Sequence, residues 1–269
     1  MSNLFLVPHD FTPVGDAAYF HALFLATPIN ARIKLIHIVS DKKELEKAKE
    51  KLEEVALSHK DKNPKNLSVE CESRVGSIFD DIGKLAEDEN AHLVIMGTHG
   101  PKGMQKVFGS YAMKVVTSTS VPFLIVQQGL EPKHIENIIV PIDTSKESLQ
   151  VISVASYIAS IFDSKIFILA EKESDARLSQ QLKIRISLVK KEYQEKNINS
   201  EIQYLDRGKP FQKKIREFAI ANNVQLIAFA YHSSSLLPQF DGYAQSLISN
   251  REQIPCIMVN AKLLSKLYY

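Results

Sequence analysis

Short apolar runs alternate along this chain with longer stretches whose apolar residues recur at helical spacing. Leu4 to Val7 is the first strand-like run, closed by Pro8-His9-Asp10. Thr12 then stands where a helix N-cap belongs and Pro13 at the first helical position, which predicts a helix over 13–27. Ile33 to Val39 reads as a second buried strand, and Lys42 to Lys60 as an amphipathic helix with Leu45, Leu52 and Val55 on one face. Leu67 to Cys71 predicts a third strand. Ser77 with Asp80 has the spacing of a capping box and predicts a helix running to about Glu89. Leu93 to Met96 is a fourth strand, Ser110 to Thr119 a helix, and Phe123 to Val126 a fifth strand.

The polar segment 130–136 reads as a linker, and beyond it the pattern begins again. Val7-Pro8-His9-Asp10 returns as Val140-Pro141-Ile142-Asp143, 133 positions later, and Val121-Pro122 returns as Ile254-Pro255 at the same offset. Gly109 matches Gly242 at that offset, whereas Gly76 matches Gly208 one residue out of step. A constant offset over five strand–helix units is a tandem duplication, with domains expected at 1–130 and 136–269. Strands alternating with helices predict an α/β fold with a doubly wound parallel sheet in each half. In such sheets ligands bind beyond the carboxyl ends of the strands. Asp10 and Gly97 both lie there, and Gly97 opens a loop dotted with Gly100, Gly103 and Gly109 before the helix at Ser110. Strand, glycine loop and helix N-terminus together present backbone N–H groups to a phosphate, although glycines in such a turn also serve geometry alone.

Composition narrows the choice. The 269 residues carry 33 basic and 31 acidic side chains, a net charge of +2, which makes no electrostatic case for nucleic acid or a membrane. The start, MSNLFLVPHDF, has no basic region ahead of its four apolar residues, and no run approaches a membrane span, so a cytoplasmic location is expected. Cys71 and Cys256 lie far apart in strand-like runs and are expected to be buried reduced thiols.

The residues LVPHDFTP, LIHIV, VIMGTHG with a following Gly-Ser, and VPFLIV resemble the universal stress protein family. The resemblance is strong in the first half and plainer in the second. It implies a Rossmann-like fold with strand order 3-2-1-4-5, and a cytoplasmic stress-response module binding ATP in the N-terminal domain. It assigns Asp10 to the ribose or adenine side, the backbone around Ile38 to adenine, Gly97 and Gly100 to a loop folding over the phosphates, and Gly109 with Ser110 to a phosphate cradle. Mg²⁺ would lean on the phosphates and Ser110 rather than on a carboxylate cage. The family's pairing of monomers implies self-association through the fifth strands, here within one chain as a pseudo-dimer, with pairing of two whole chains left open.

Two departures favour the alternative of an interaction or scaffold protein with a vestigial site. Eight residues separate Gly100 from Gly109 where the family motif has nine, a shift of up to about 3.5 Å in loop reach. In the second half the counterparts of Gly97, Gly100 and Ser110 are Ala230, Ser233 and Tyr243, which would crowd a phosphate path, although Asp143 is kept. Lys102 and Lys106 are cations of the glycine loop outside the motif. No catalytic apparatus is evident. His9 and His99 are the candidates for acid–base work but lie at turn and loop positions, the other histidines lack metal-ligand spacing, and no Walker lysine follows Gly109. At most slow ATP hydrolysis is expected.

Overall fold

The structure is a computed structural model that describes residues 3–63, 65, 67–98, 113–231 and 242–261. The chain divides into two compact units, one running to Pro132 and the other beginning at Lys133.

In the first unit the strands are β1 (Leu4–Pro8), β2 (Arg32–Val39), β3 (Val69–Val75), β4 (Leu93–Thr98) and β5 (Phe123–Gln127). They form a parallel sheet in the order β3-β2-β1-β4-β5. The register runs from Leu4↔Arg32 to Pro8↔Ile36, and β1 meets β4 at Phe5↔Leu93. β1 and β4 are apolar without alternation because both faces of the sheet are covered there, and Phe5, Val7, Leu35, Val94 and Ile95 are fully buried. The helices are α1 (Pro13–Ala26), α2 (Leu45–Ser58) and α3 (Asp81–Asp88). Thr12 caps α1 as its sequence position indicates: its Oγ1 accepts from the Val14 N–H at 3.3 Å, ahead of Pro13. At the sheet edge the buried Lys34 ammonium meets Glu70, Glu72 and Glu89 at 3.2, 3.1 and 2.6 Å.

Several expected boundaries move. The strand expected over 67–71 runs instead over Val69–Val75, held in register with β2 to its last residue by Val39↔Val75. Ser77 does not open α3. It begins a turn in which its own N–H is taken by the Asp81 carboxylate at 2.6 Å, and the helix starts at Asp81. The stretch expected as one helix over 42–60 is a 3₁₀ turn at Lys42–Glu44 followed by α2. Of the helix expected over 110–119, residues 113–116 are helical and 110–112 lie outside the described residues. Cys256 is buried and free as expected, but Cys71 is free and only half-buried.

The second unit repeats the plan with β6 (Asn137–Pro141), β7 (Lys165–Glu171), β8 (Ser200–Leu205), β9 (Leu226–Tyr231) and β10 (Cys256–Asn260) in the order β8-β7-β6-β9-β10. Its helices are α4 (Ile152–Phe162), α5 (Ala176–Glu195), α6 (Phe211–Ala221) and α7 (Gly242–Ile248). The repeat extends to single hydrogen bonds. His9 N–H donates to the Ile36 carbonyl at 2.9 Å, and Ile142 N–H donates to the Leu169 carbonyl at 2.8 Å.

Candidate functional site

In the first unit the sheet order reverses between β1 and β4, and the crevice there is lined by the ends of three strands and the starts of two helical segments. Pro8, His9 and Asp10 come from the end of β1, Ile36 to Ile38 from β2, Met96 and Gly97 from β4, Val14 and Gly15 from α1, and Ile78 and Ile82 from the α3 side. The cavity these residues enclose is about 80 Å³. Small-molecule pockets start at roughly 300 Å³, so these residues suit one end of a larger ligand.

Asp10 is exposed at the rim, and its Oδ1 accepts from the Thr12 N–H at 3.1 Å and the Thr12 hydroxyl at 2.6 Å. This Asx turn fixes the carboxylate and leaves the direction of Oδ2 open to a ligand. Between them Phe11 takes a left-handed φ of 60°, unusual for an aromatic residue, and its N–H donates to His9 Nδ1 at 3.1 Å. With Nδ1 accepting, His9 carries its proton on Nε2, which donates to Asp16 Oδ1 at 3.3 Å. The ring is fully buried, and burial lowers its pKa against the opposing pull of Asp16. It also lies flat against Gly15, where an added Cβ would come within 2.8 Å of the ring. These contacts make His9 a packing and turn-forming residue. His59, at the end of α2, brings its Nε2 to 3.3 Å from the same Asp16 oxygen.

Ile38 is half-buried in the crevice. In a parallel ladder the N–H and C=O of one residue face the same neighbour, and successive residues alternate sides. Ile36 offers its carbonyl to His9 on β1, whereas Val39 offers its carbonyl to Gly76 on the β3 side. The main-chain groups of Ile38 therefore face the β1 side, at a level where β1 has ended. The paired register stops at Pro8↔Ile36. A further ladder step would bring Ile38 N–H to the His9 carbonyl, but His37 Nδ1 donates to that oxygen at 2.7 Å. His37 in turn packs on the Phe11 ring, with centroids 4.3 Å apart.

Gly97 is also at the crevice, and packing alone demands a glycine there: a Cβ would overlap the Val14 carbonyl oxygen at the start of α1. Gly100, Gly109, Ser110, His99, Lys102 and Lys106 lie outside the described residues. The structure thus brings Asp10, Ile38 and Gly97 to one crevice. Sequence reasoning missed Asp16, His37 and His59, whose roles come from tertiary contacts between segments that carry no shared motif.

The equivalent crevice of the second unit is furnished differently. Asp143 repeats the Asx turn, accepting from the Ser145 N–H at 2.8 Å and from the Ser145 hydroxyl. Where the first unit has Ile38, the second has Glu171, ion-paired to the buried Lys214, whose ammonium also donates to the Asp206 carbonyl at 2.8 Å. Tyr243 stacks on Phe211 with centroids 6.4 Å apart and meets Phe229 edge-on at 6.0 Å. Ala230 is buried, and the helix facing it opens as a 3₁₀ turn, Glu147–Val151, instead of the α-helical start made by α1 against Gly97. Among the described residues no group of His, Cys, Asp or Glu could hold a metal ion.

Fold and crevice define a doubly wound α/β protein with its candidate site at the switch point of the first sheet. Residues 1–127 match the model of the universal stress protein family, which identifies the first unit as a domain of that kind. Universal stress protein G of Shigella flexneri is 28% identical over 130 residues, 42% of this chain and 89% of that protein. Universal stress protein MJ0577 of Methanocaldococcus jannaschii is 22% identical over 156 residues, 48% of this chain and 96% of that protein. Among solved structures, a universal stress protein from Archaeoglobus fulgidus superimposes with a TM-score of 0.75 at 17% identity, covering 97% of this chain and 99% of its own. A Pseudomonas aeruginosa protein of unknown function gives 0.67 at 15% identity over 98% of both chains. These two likenesses concern the fold.

Proposed function

We propose that the first unit binds an adenine nucleotide, ATP with Mg²⁺ held through its phosphates, as part of a cytoplasmic stress-response role. The observation that carries this reading is the pair of Ile38 main-chain groups facing the notch beyond the end of β1. A donor and an acceptor side by side on one strand edge match the N1 acceptor and exocyclic amine of adenine, and Ile36, Ile82 and Met96 supply apolar surface for a ring. Asp10 would take the ribose hydroxyls on its carboxylate. Gly97 begins the path to Gly100, Gly109 and Ser110, which would carry the phosphates.

The test is a thermal melt with and without millimolar MgATP on the intact protein and on Asp10→Asn. Asparagine keeps the Oδ1 acceptor that the Thr12 turn uses and replaces the second carboxylate oxygen with a donor. At 100 times its dissociation constant ATP stabilises the folded state by about 2.7 kcal/mol, a rise of roughly 5–10 °C for a chain of this size. The expected result is that rise in the unaltered protein, most of it lost in Asp10→Asn, with the ligand-free midpoints alike. No rise in the unaltered protein overturns the reading in favour of an interaction protein with a vestigial site. The shortened interval between Gly100 and Gly109 is the observation behind that second reading.

A further inference from the structure

Helix α5, at 20 residues, buries Leu182, Ile186, Val189 and Tyr193 against its own unit. Its opposite face carries a second stripe. Arg177, Gln181, Ile184, Leu188, Lys191 and Glu195 follow one another at alternating intervals of four and three, the spacing of a coiled-coil seam. At the centre of that stripe two large aliphatic side chains stand in solvent, Ile184 at 47% and Leu188 at 48% exposure. Arg177, Lys191 and Glu195 are exposed beside them.

The seam is complementary to itself when reversed. Around the level of Ile186, Ile184 and Leu188 lie two positions to either side, Gln181 and Lys191 five, and Arg177 and Glu195 nine. We propose that α5 is a docking face for a second copy of this chain, laid antiparallel about a two-fold axis near Ile186. In that arrangement Ile184 meets the second copy's Leu188, Lys191 meets the second copy's Gln181, and Arg177 meets the second copy's Glu195, each contact occurring twice as an isologous interface requires. Along one flank run Gln180, Ser187 and Gln194, neutral groups that set no like charges against each other. Glu195 now lies only 3.8 Å from Lys191 within the helix, an exposed pair that a second partner can share. One helix pair is a small contact, so the association is weak, in the range of micromolar or above.

The experiment is sedimentation equilibrium of the full chain at concentrations from about 10 μM to about 1 mM, spanning that range. The expected result is a reversible dimer. Ile184→Asp, which removes an apolar contact twice per dimer, should weaken it about 100-fold or more. Arg177→Glu and Glu195→Arg should each weaken it several-fold, and the double exchange R177E/E195R should restore it, because each charge faces the other across the axis. All these side chains are exposed, so circular dichroism and melting midpoints should not move, which separates loss of docking from loss of folding. A monomer throughout the range overturns the proposal, whether or not the protein sediments with phosphatidylserine vesicles. So does a dimer indifferent to Ile184→Asp, or one that the double exchange fails to restore.

Discussion

His9 and His21 are buried imidazoles with assigned hydrogen bonds, and burial is the largest influence on each, lowering both pKa values from the ordinary 6.5. His21 Nδ1–H donates to the Ala17 carbonyl at 2.8 Å, and His9 needs an unprotonated Nδ1 to accept from Phe11. A folded state that prefers the neutral ring binds fewer protons than the unfolded chain between the lowered values and 6.5. Stability is therefore fully present above pH 6.5 and declines as the pH falls through that window. The carboxylates of Glu72 and Glu252, held low by hydrogen bonds from Arg74 and Arg216, lose their contribution only below their ordinary 4.5. Melting midpoints should drop between pH 7 and pH 5, and His9→Asn should flatten that slope. An unchanged slope would remove His9 from the account.

Between elements, the start of α1 packs backbone to backbone against the end of β4, where Gly97 lets the Val14 carbonyl approach. Gly97→Ala should cost about 2–3 kcal/mol through overpacking of backbone against backbone. Its midpoint should fall by roughly 5–10 °C in a melt without nucleotide. A variant as stable as the parent would show that α1 can retreat, as the 3₁₀ start opposite Ala230 already does in the second unit. The beginning of α1 was legible in the sequence because Thr12 and Pro13 act locally. The beginning of α3 was not, since the acid that matters is Asp81 capping Ser77, a choice between adjacent carboxylates that spacing alone does not make. The family resemblance assigned Asp10 and Ile38 to a nucleotide, and both line the crevice. The three-way meeting of His9, Asp16 and His59 was not legible, because it depends on how α2 returns over α1.

Over the whole molecule, the two units repeat one backbone plan and differ in the residues at their switch points. The sheet orders and the bond from the end of each first strand recur in both units. At the equivalent positions of the second unit stand the Lys214–Glu171 ion pair and the rings of Phe211, Phe229 and Tyr243. If the first unit takes a nucleotide, calorimetric titration should return one per chain. Two per chain would mean that Tyr243 and Glu171 swing clear of the second cleft.

The paired Asx turns carry a lesson for anyone reading relatives of this chain. Asp10 with Thr12 and Asp143 with Ser145 close the same bend, although the residues around the two bends differ. An aspartate at this position is thus a folding residue before it is a ligand residue. Its presence in another sequence is accounted for by the turn alone, and its loss would be felt first as a misdirected helix.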